Sequence, residues 1–223
     1  MNIVVVGEGG HSKVIKDIIL SNSHYNIIGY LDDKYKEEIN LEQVFYGPLS
    51  MVSKLLEYYS EIKFIIAIGS NSVRKQIVEK LNLPDNYFLS IQHRSAIVSP
   101  LSQVGVGTVI MPNAVINADS MIGSHVIINT GAVVEHDNKI DNYAHISPNA
   151  TLTGSVVIEE GVQVGAGATL IPSVHIGEWS IIGAGATVIH NIPSYSTAVG
   201  TPAKVKNKIK IEGVSYGQSI SAE

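Results

Sequence analysis

Residues 98–188 divide into hexads, VSPLSQ VGVGTV IMPNAV INADSM IGSHVI INTGAV VEHDNK IDNYAH ISPNAT LTGSVV IEEGVQ VGAGAT LIPSVH IGEWSI IGAGAT, and the next hexad opens on Val188. The first position is aliphatic sixteen times in sixteen steps: Val98, Val104, Ile110, Ile116, Ile122, Ile128, Val134, Ile140, Ile146, Leu152, Ile158, Val164, Leu170, Ile176, Ile182 and Val188. Two residues before each stands something small or β-branched, as at Ala96, Ser102, Thr108, Ala114, Ser120, Val126 and Ala132; Asn138 is the larger polar exception. A helix repeats near 3.6 and a strand at 2, so neither yields a strict six. Three short strands joined by three turns do, with the aliphatic residue inside a prism and the small one at its corner. One hexad cannot bury its apolar residue alone, so the coils must stack, about five of them at three hexads each. Residues 18 apart then lie in register, roughly 4.8 Å from one another.

Upstream the period changes. Asn2 to Val6 reads as a strand ending at Gly7, and Ser12 to Leu20 as a helix through Val14, Ile15, Ile18 and Ile19. Further strands are expected at Asn26 to Leu31, Lys63 to Ile68 and Tyr87 to Ile91, and helices at Met51 to Tyr59 and at Ser72 to Leu81 through Val73, Ile77, Val78 and Leu81. Alternating strands and helices predict a small parallel sheet covered by helices. The expected organisation is therefore an α/β, Rossmann-like domain over 1–92, a parallel β-helix over 93–206 and a tail over 207–223.

Composition narrows the function. Hydrophobic residues make up 45% of the chain and charged ones only 16%, so much of the surface is neutral or covered, which suits self-association. A net charge of −5 argues against nucleic acid as partner, since phosphate binding needs clustered Lys and Arg. The short basic run Lys204 to Lys210 reads as a solvated tail. With no cysteine there is no disulfide, thiolate metal site or thiol nucleophile. Met1 leads straight into the first strand without a signal sequence, and no stretch reaches the ~20 apolar residues a membrane span needs. A cytoplasmic protein is expected.

Among eight histidines, His136 stands out: it follows Val134 by two, at a corner, between Glu135 and Asp137. A carboxylate beside an imidazole fixes its tautomer and raises its basicity, which suits a general base. Either acidic neighbour could orient the ring. His125, His175 and His190 lack such neighbours and read as surface residues. A metal needs histidines converging in adjacent coils. One coil beyond His136 is Gly154 and one beyond His145 is Gln163, while His190 lies three coils from His136, so no metal site is expected. The turn Gly7-Glu8-Gly9-Gly10-His11-Ser12 lies between strand and helix, where backbone N–H groups suit a phosphate, although Ser12 replaces the third glycine of a dinucleotide fingerprint.

Hexads such as Ile122-Gly123, Val164-Gly165, Ile176-Gly177 and Ile182-Gly183, of the form aliphatic-Gly-x-x-small-x, resemble the hexapeptide-repeat acyltransferases. The glycine turn, Leu31-Asp32-Asp33, Ile66-Ala67-Ile68-Gly69-Ser70-Asn71 with Arg74-Lys75, Ser95 to Pro100 and Val199-Gly200-Thr201-Pro202-Ala203-Lys204 are similar to one subgroup. These are the bacterial sugar acyltransferases that include UDP-4-amino-sugar N-acetyltransferases and sialic acid O-acetyltransferases (NeuD/PglD-like). The resemblance, which covers residues 1 to about 206, implies a left-handed β-helix, a homotrimer and acetyl-CoA as co-substrate. It also implies N-acetylation of a nucleotide-linked, UDP-type 4-amino sugar for surface glycans. Residue by residue it implies His136 as base with Asp137 beside it, where the subgroup usually has Glu, and Asn129 as a residue binding the substrate or the tetrahedral intermediate. His145, Ala166 and Ala184 would contact the coenzyme, while Gly10, His11, Asp32, Asp33 and Gly69 would hold the sugar nucleotide. Two rivals stand beside it: O-acetylation of sialic acid or a related sugar, and a non-catalytic trimeric nucleotide-binding scaffold.

Overall fold

The computed structural model describes residues 1–208, so all but the start of the 207–223 tail lies outside the described residues. The buried run Ile3 to Val6 puts β1 (Asn2–Val6) inside a sheet, flanked by β2 (Asn26–Leu31) and β5 (Ile62–Ile66). Beyond β2 come β4 (Val44–Gly47) and β3 (Ile39–Leu41), giving the order β3-β4-β2-β1-β5. All pairs are parallel except β3 with β4. That edge hairpin departs from the expected all-parallel sheet. Its turn is carried by Glu42 and Gln43 at positive φ, so the usual Asn-Gly signal is missing from the sequence.

Three helices cover the sheet. α1 (Gly10–Leu20) buries Ile15, Ile18 and Ile19 but leaves Val14 exposed, outside its stripe. α2 (Val52–Tyr58) follows a 3-10 turn at Leu49–Met51. α3 (Asn71–Leu81) departs further from expectation: Val73 is exposed, and its two buried residues are polar, Asn71 and Arg74. The reason is position, since this edge of α3 faces backbone carbonyls of the β-helix.

The strand expected over Tyr87 to Ile91 does not form. Pro84 precedes a 3-10 turn at Asp85–Tyr87, Phe88 makes a single bridge to Phe64, and β6 (Ile91–Gln92) pairs instead with Val109–Ile110. From there two-residue strands, β7 (Ile97–Val98) to β22 (Thr187–Val188), wind into the three parallel sheets of a left-handed β-helix. Pairs such as Val115↔Val133 and Ile127↔His145 hold the expected eighteen-residue register. The aliphatic column and the small residues between form one buried core, each fully buried aliphatic side chain contributing about 1.5–3 kcal/mol. Val98, half-buried, and Val104, at 36% exposed, are the exceptions, because each lies on the first strand of its face, with no coil above.

The corners have a regularity that the apolar pattern does not display. Every sixth residue from Gly107 to Gly185 adopts a left-handed conformation, φ between 53° and 68°. Glycine, Asn and Asp tolerate that region best, yet Tyr143 and Trp179 are held there too. The two parts of the chain share a core: Ile3, Val5, Ile65 and α1 pack on Ile91, Val109 and Met111. The sheet bearing Ile91, Val109, Ile127, His145, Gln163 and Ile181 as successive partners is therefore the docked face of the β-helix.

Candidate functional site

Gly10, His11, Asp32, Asp33 and Gly69 all line one cavity of ≈ 440 Å³ at the ends of β1, β2 and β5. Gly7, at φ 94°, makes the turn possible, and a Cβ there would lie 2.7 Å from Ile68. At Gly9, Gly10 and Gly69 a Cβ would meet nothing within 4 Å, so packing does not demand glycine there and bare backbone faces the cavity. Asp32 is committed to the turn: Oδ2 accepts from the Glu8 amide at 2.8 Å and Oδ1 from the Lys34 amide at 3.0 Å. Asp33 accepts from the Leu49 amide and from Lys80 Nζ at 2.8 Å, and Lys80 is the main cause of its lowered pKa. His11 has a buried Nε2 without a partner. Burial first, then the charge of Arg74, lowers its pKa to about 4, so its imidazole is neutral near pH 7.

Next to this cavity lies the pair Asn129–His145, on the docked face and its following turn. Asn129 Oδ1 accepts from the Thr130 amide at 2.8 Å, which turns Nδ2 toward His145 Nε2 at 2.9 Å. Nδ2 must donate, so Nε2 accepts and the His145 proton resides on Nδ1, which is buried. Burial, Arg74 and His11 together lower the His145 pKa to about 4, against the raising effect of the Gly69 carbonyl. The structure thus brings His11, Gly69 and His145 to one place.

His136 sits elsewhere, on the turn between the other two faces, with 61% of its side chain exposed. Its Nδ1 lies 2.7 Å from Asp137 Oδ2, and this hydrogen bond is the main cause of its raised pKa. Glu135 is engaged by Asn117 Nδ2 at 2.8 Å, so Asp137 is the neighbour that meets the ring. With Nδ1 so occupied, Nε2 is the basic atom. The ring lies over Gly154, one coil on, where a Cβ would approach Nε2 to 2.8 Å. The turn is pinned from inside by Asn138, fully buried, whose Nδ2 donates to the Glu135 and Thr153 carbonyls at 2.6 and 2.9 Å.

Ala166 and Ala184 stack in adjacent coils along the corner that carries Asn129, both exposed, with the Gly185 amide donating to the Ala166 carbonyl at 2.8 Å. Each precedes a glycine whose added Cβ would meet nothing, so this edge is bare backbone. Two histidines differ from expectation. His125 is 3% exposed, stacked on Tyr143 and edge-on to Phe88. His175 does have an acidic neighbour, Glu159 Oε1 at 2.8 Å, one turn before it. Both contacts form across residues 16 or more apart, which local reading does not connect. Sequence reading gave Asn138 and Arg74 no role: Asn138 showed only as the odd polar residue in an apolar column, and Arg74 only among the residues of the resemblance. Among the described residues no group of three His, Cys, Asp or Glu could hold a metal ion, and no helix is long and apolar enough to cross a membrane.

Residues 2–81 match the PglD N-terminal domain family and residues 155–190 the bacterial transferase hexapeptide (six repeats) family. A UDP-N-acetylbacillosamine N-acetyltransferase of Bacillus subtilis (strain 168) is 48% identical over 110 residues, 49% of this chain and 51% of that protein. The chain thus spans about half the length of that curated relative. PerB from Caulobacter crescentus, solved with CoA and GDP-perosamine, is 34% identical with a TM-score of 0.84, over 93% of this chain and 98% of that one. The acetyltransferase domain of PglB from Neisseria gonorrhoeae FA1090, solved with acetyl coenzyme A, is 33% identical with a TM-score of 0.80, over 92% and 98%.

Proposed function

Because the chain belongs to the hexapeptide-repeat sugar acyltransferases, we propose that it transfers the acetyl group of acetyl-CoA to the amine of a nucleotide-linked 4-amino sugar. Residues 1–92 hold the sugar nucleotide in the ≈ 440 Å³ cavity, and the β-helix over 93–206 receives the coenzyme. The observation that carries the reading is the His136–Asp137 pair at 2.7 Å, an activated imidazole with a free Nε2. His136 Nε2 takes a proton from the amine as its nitrogen attacks the thioester carbonyl. The C–N bond forms, the C–S bond breaks, and the thiolate of coenzyme A leaves, to be protonated from the imidazolium. Asp137 orients the ring and stabilises its charged form. Asn129 and His145 lie at the docked face, where they meet the acceptor, the tetrahedral intermediate or the coenzyme, and the bare edge at Ala166 and Ala184 follows the coenzyme arm.

His136 and the Asn129–His145 pair occupy different corners of one prism, and in a homotrimer a neighbour's corner completes each site. The acceptor is taken as UDP-linked, after the Bacillus relative; PerB was solved with a GDP sugar, so both nucleotides belong in the test. A cytoplasmic setting goes with these two substrates. The test is incubation with acetyl-CoA and UDP- or GDP-linked 4-amino sugars, following thiol release and the product mass. An amide product with one added acetyl group is expected. Acetylation of sialic acid hydroxyls instead would move the reading to O-transfer, and nucleotide binding without turnover would leave the scaffold.

A further inference from the structure

Arg74 is 1% exposed, and among the described residues no carboxylate pairs with it. An unpaired buried cation costs several kcal/mol unless every donor finds an acceptor. Here the acceptors are almost all backbone carbonyls. Nε donates to His125 O at 2.8 Å, Nη1 to Ile68 O at 3.0 Å and Gly69 O at 3.3 Å. Nη2 donates to Tyr143 O at 2.7 Å, Ala144 O at 3.4 Å and Asn71 Oδ1 at 2.9 Å. Asn71 extends the contact by donating to Gly161 O and Val162 O. The two side chains therefore grip three successive coils with one hand and the end of the segment Ile68-Gly69 with the other. An aliphatic residue would fill the same space more cheaply, so direction is what the guanidinium supplies.

What it connects is specific. Gly69 walls the nucleotide cavity, and Ala144 immediately precedes His145, whose ring meets Asn129. We propose that Arg74 is a positioning residue, setting the spacing between the Gly69 wall of the nucleotide cavity and the Asn129–His145 pair so that acceptor and acyl donor meet in one geometry. The inference rests on the acetyl-transfer reading for what the two sides bind. It has support in charge as well: the charged or ionisable groups facing the two imidazoles are Arg74 and one another, and Arg74 helps keep both neutral.

The test uses Arg74→Lys, which keeps charge and length, and Arg74→Gln, which removes the charge, in the full chain. With acetyl-CoA and the accepted sugar nucleotide, kcat per folded molecule should fall roughly tenfold or more in both, from the loss of several charge-assisted hydrogen bonds. The KM of each substrate should change far less, since each half-site stays whole. Without substrate, amide exchange should quicken at Gly69 and at Ala144–His145 together. The NMR titrations of His11 and His145 should move upward from about 4 in Arg74→Gln and not in Arg74→Lys. A lowered Tm with unchanged kcat, unchanged imidazole titrations and no coupled exchange would overturn the proposal and leave Arg74 as packing. If the wild-type protein acetylates no nucleotide sugar, the functional reading fails, while the exchange and titration arms still decide for or against Arg74.

Discussion

Replacing Gly154 by alanine should separate activity from stability, because the three atoms nearest to an added methyl group all belong to the proposed base. A Cβ on Gly154 would stand 2.7 Å from His136 Cε1, 2.8 Å from Nε2 and 3.4 Å from Nδ1. Comfortable contact between such atoms is about 3.5–4.0 Å, so the ring must retreat by roughly 1 Å. It has room to do so, being 61% exposed, and the core is not touched. Gly154 lies outside the set of residues at positive φ, so alanine fits its backbone. The exchange should then be neutral or stabilising by about 0.4–1 kcal/mol through the unfolded chain. Retreat stretches the 2.7 Å contact with Asp137 and carries Nε2 away from the acceptor amine. A misplacement of ~1 Å can cost ~10²-fold in rate, or about 2.7 kcal/mol of transition-state stabilisation. The assay is steady-state thiol release beside a thermal melt. We expect an unchanged or raised Tm, little change in either KM, and a kcat loss between wild type and His136→Ala, which should lose ~10²–10⁴-fold. The pH profile adds a second reading. Hydrogen bonding to Asp137 raises the His136 pKa, so the acid limb of kcat/KM should lie above 6.5 in wild type and drop toward it in Gly154→Ala. Normal turnover with an unshifted acid limb in Gly154→Ala would refute the placement of the reacting atom.

Burial holds the His125 pKa at about 4, as it does for His11 and His145, so in acid the unfolded chain takes up protons first. Stability should therefore fall as pH drops from 6.5 toward 4, His125 accounting for about 3 kcal/mol at most, and urea melts of His125→Phe should show a weaker loss over that window. Asp32→Ala releases the Glu8 amide and loosens the glycine turn, so the acceptor's KM should rise while that of acetyl-CoA stays near wild type; a parallel rise in both would contradict the assignment of the cavity. Light scattering at micromolar concentration should give a species three times the 23.9 kDa chain mass, and a monomer there would remove the shared site.

The β-helix was legible because its physics is one-dimensional. A residue six positions on faces the same interior, so Val98 to Val188 display the core directly, and eighteen-residue stacking follows from counting. The same counting placed Gly154 beside His136, and the carboxylate next to the ring came from adjacency alone. The glycine turn and Asp32-Asp33 were legible in the same way, as the ends of strands brought to one edge of a parallel sheet.

What counting could not reach are contacts made by folding one part of the chain onto another. The hairpin at Ile39–Leu41 and Val44–Gly47 turns on Glu42 and Gln43, which carry no local signal for left-handed backbone. Ile91–Gln92 has the composition of a sheet strand but pairs with the β-helix, because the choice depends on which edge lies open beside it. His125 looks like a surface histidine until Tyr143 stacks on one side and Phe88 closes the other. Asn71 and Arg74 look like the polar face of α3 until the carbonyls of His125, Tyr143 and Gly161 arrive to receive them. Periodicity by itself determined the prism and the corner on which His136 stands, since both depend on residues near in sequence. Only the tertiary structure decided that Gly69, His11 and His145 share one place and that Arg74 holds it, because burial and hydrogen-bond satisfaction belong to surfaces that do not exist until the two parts of the chain meet.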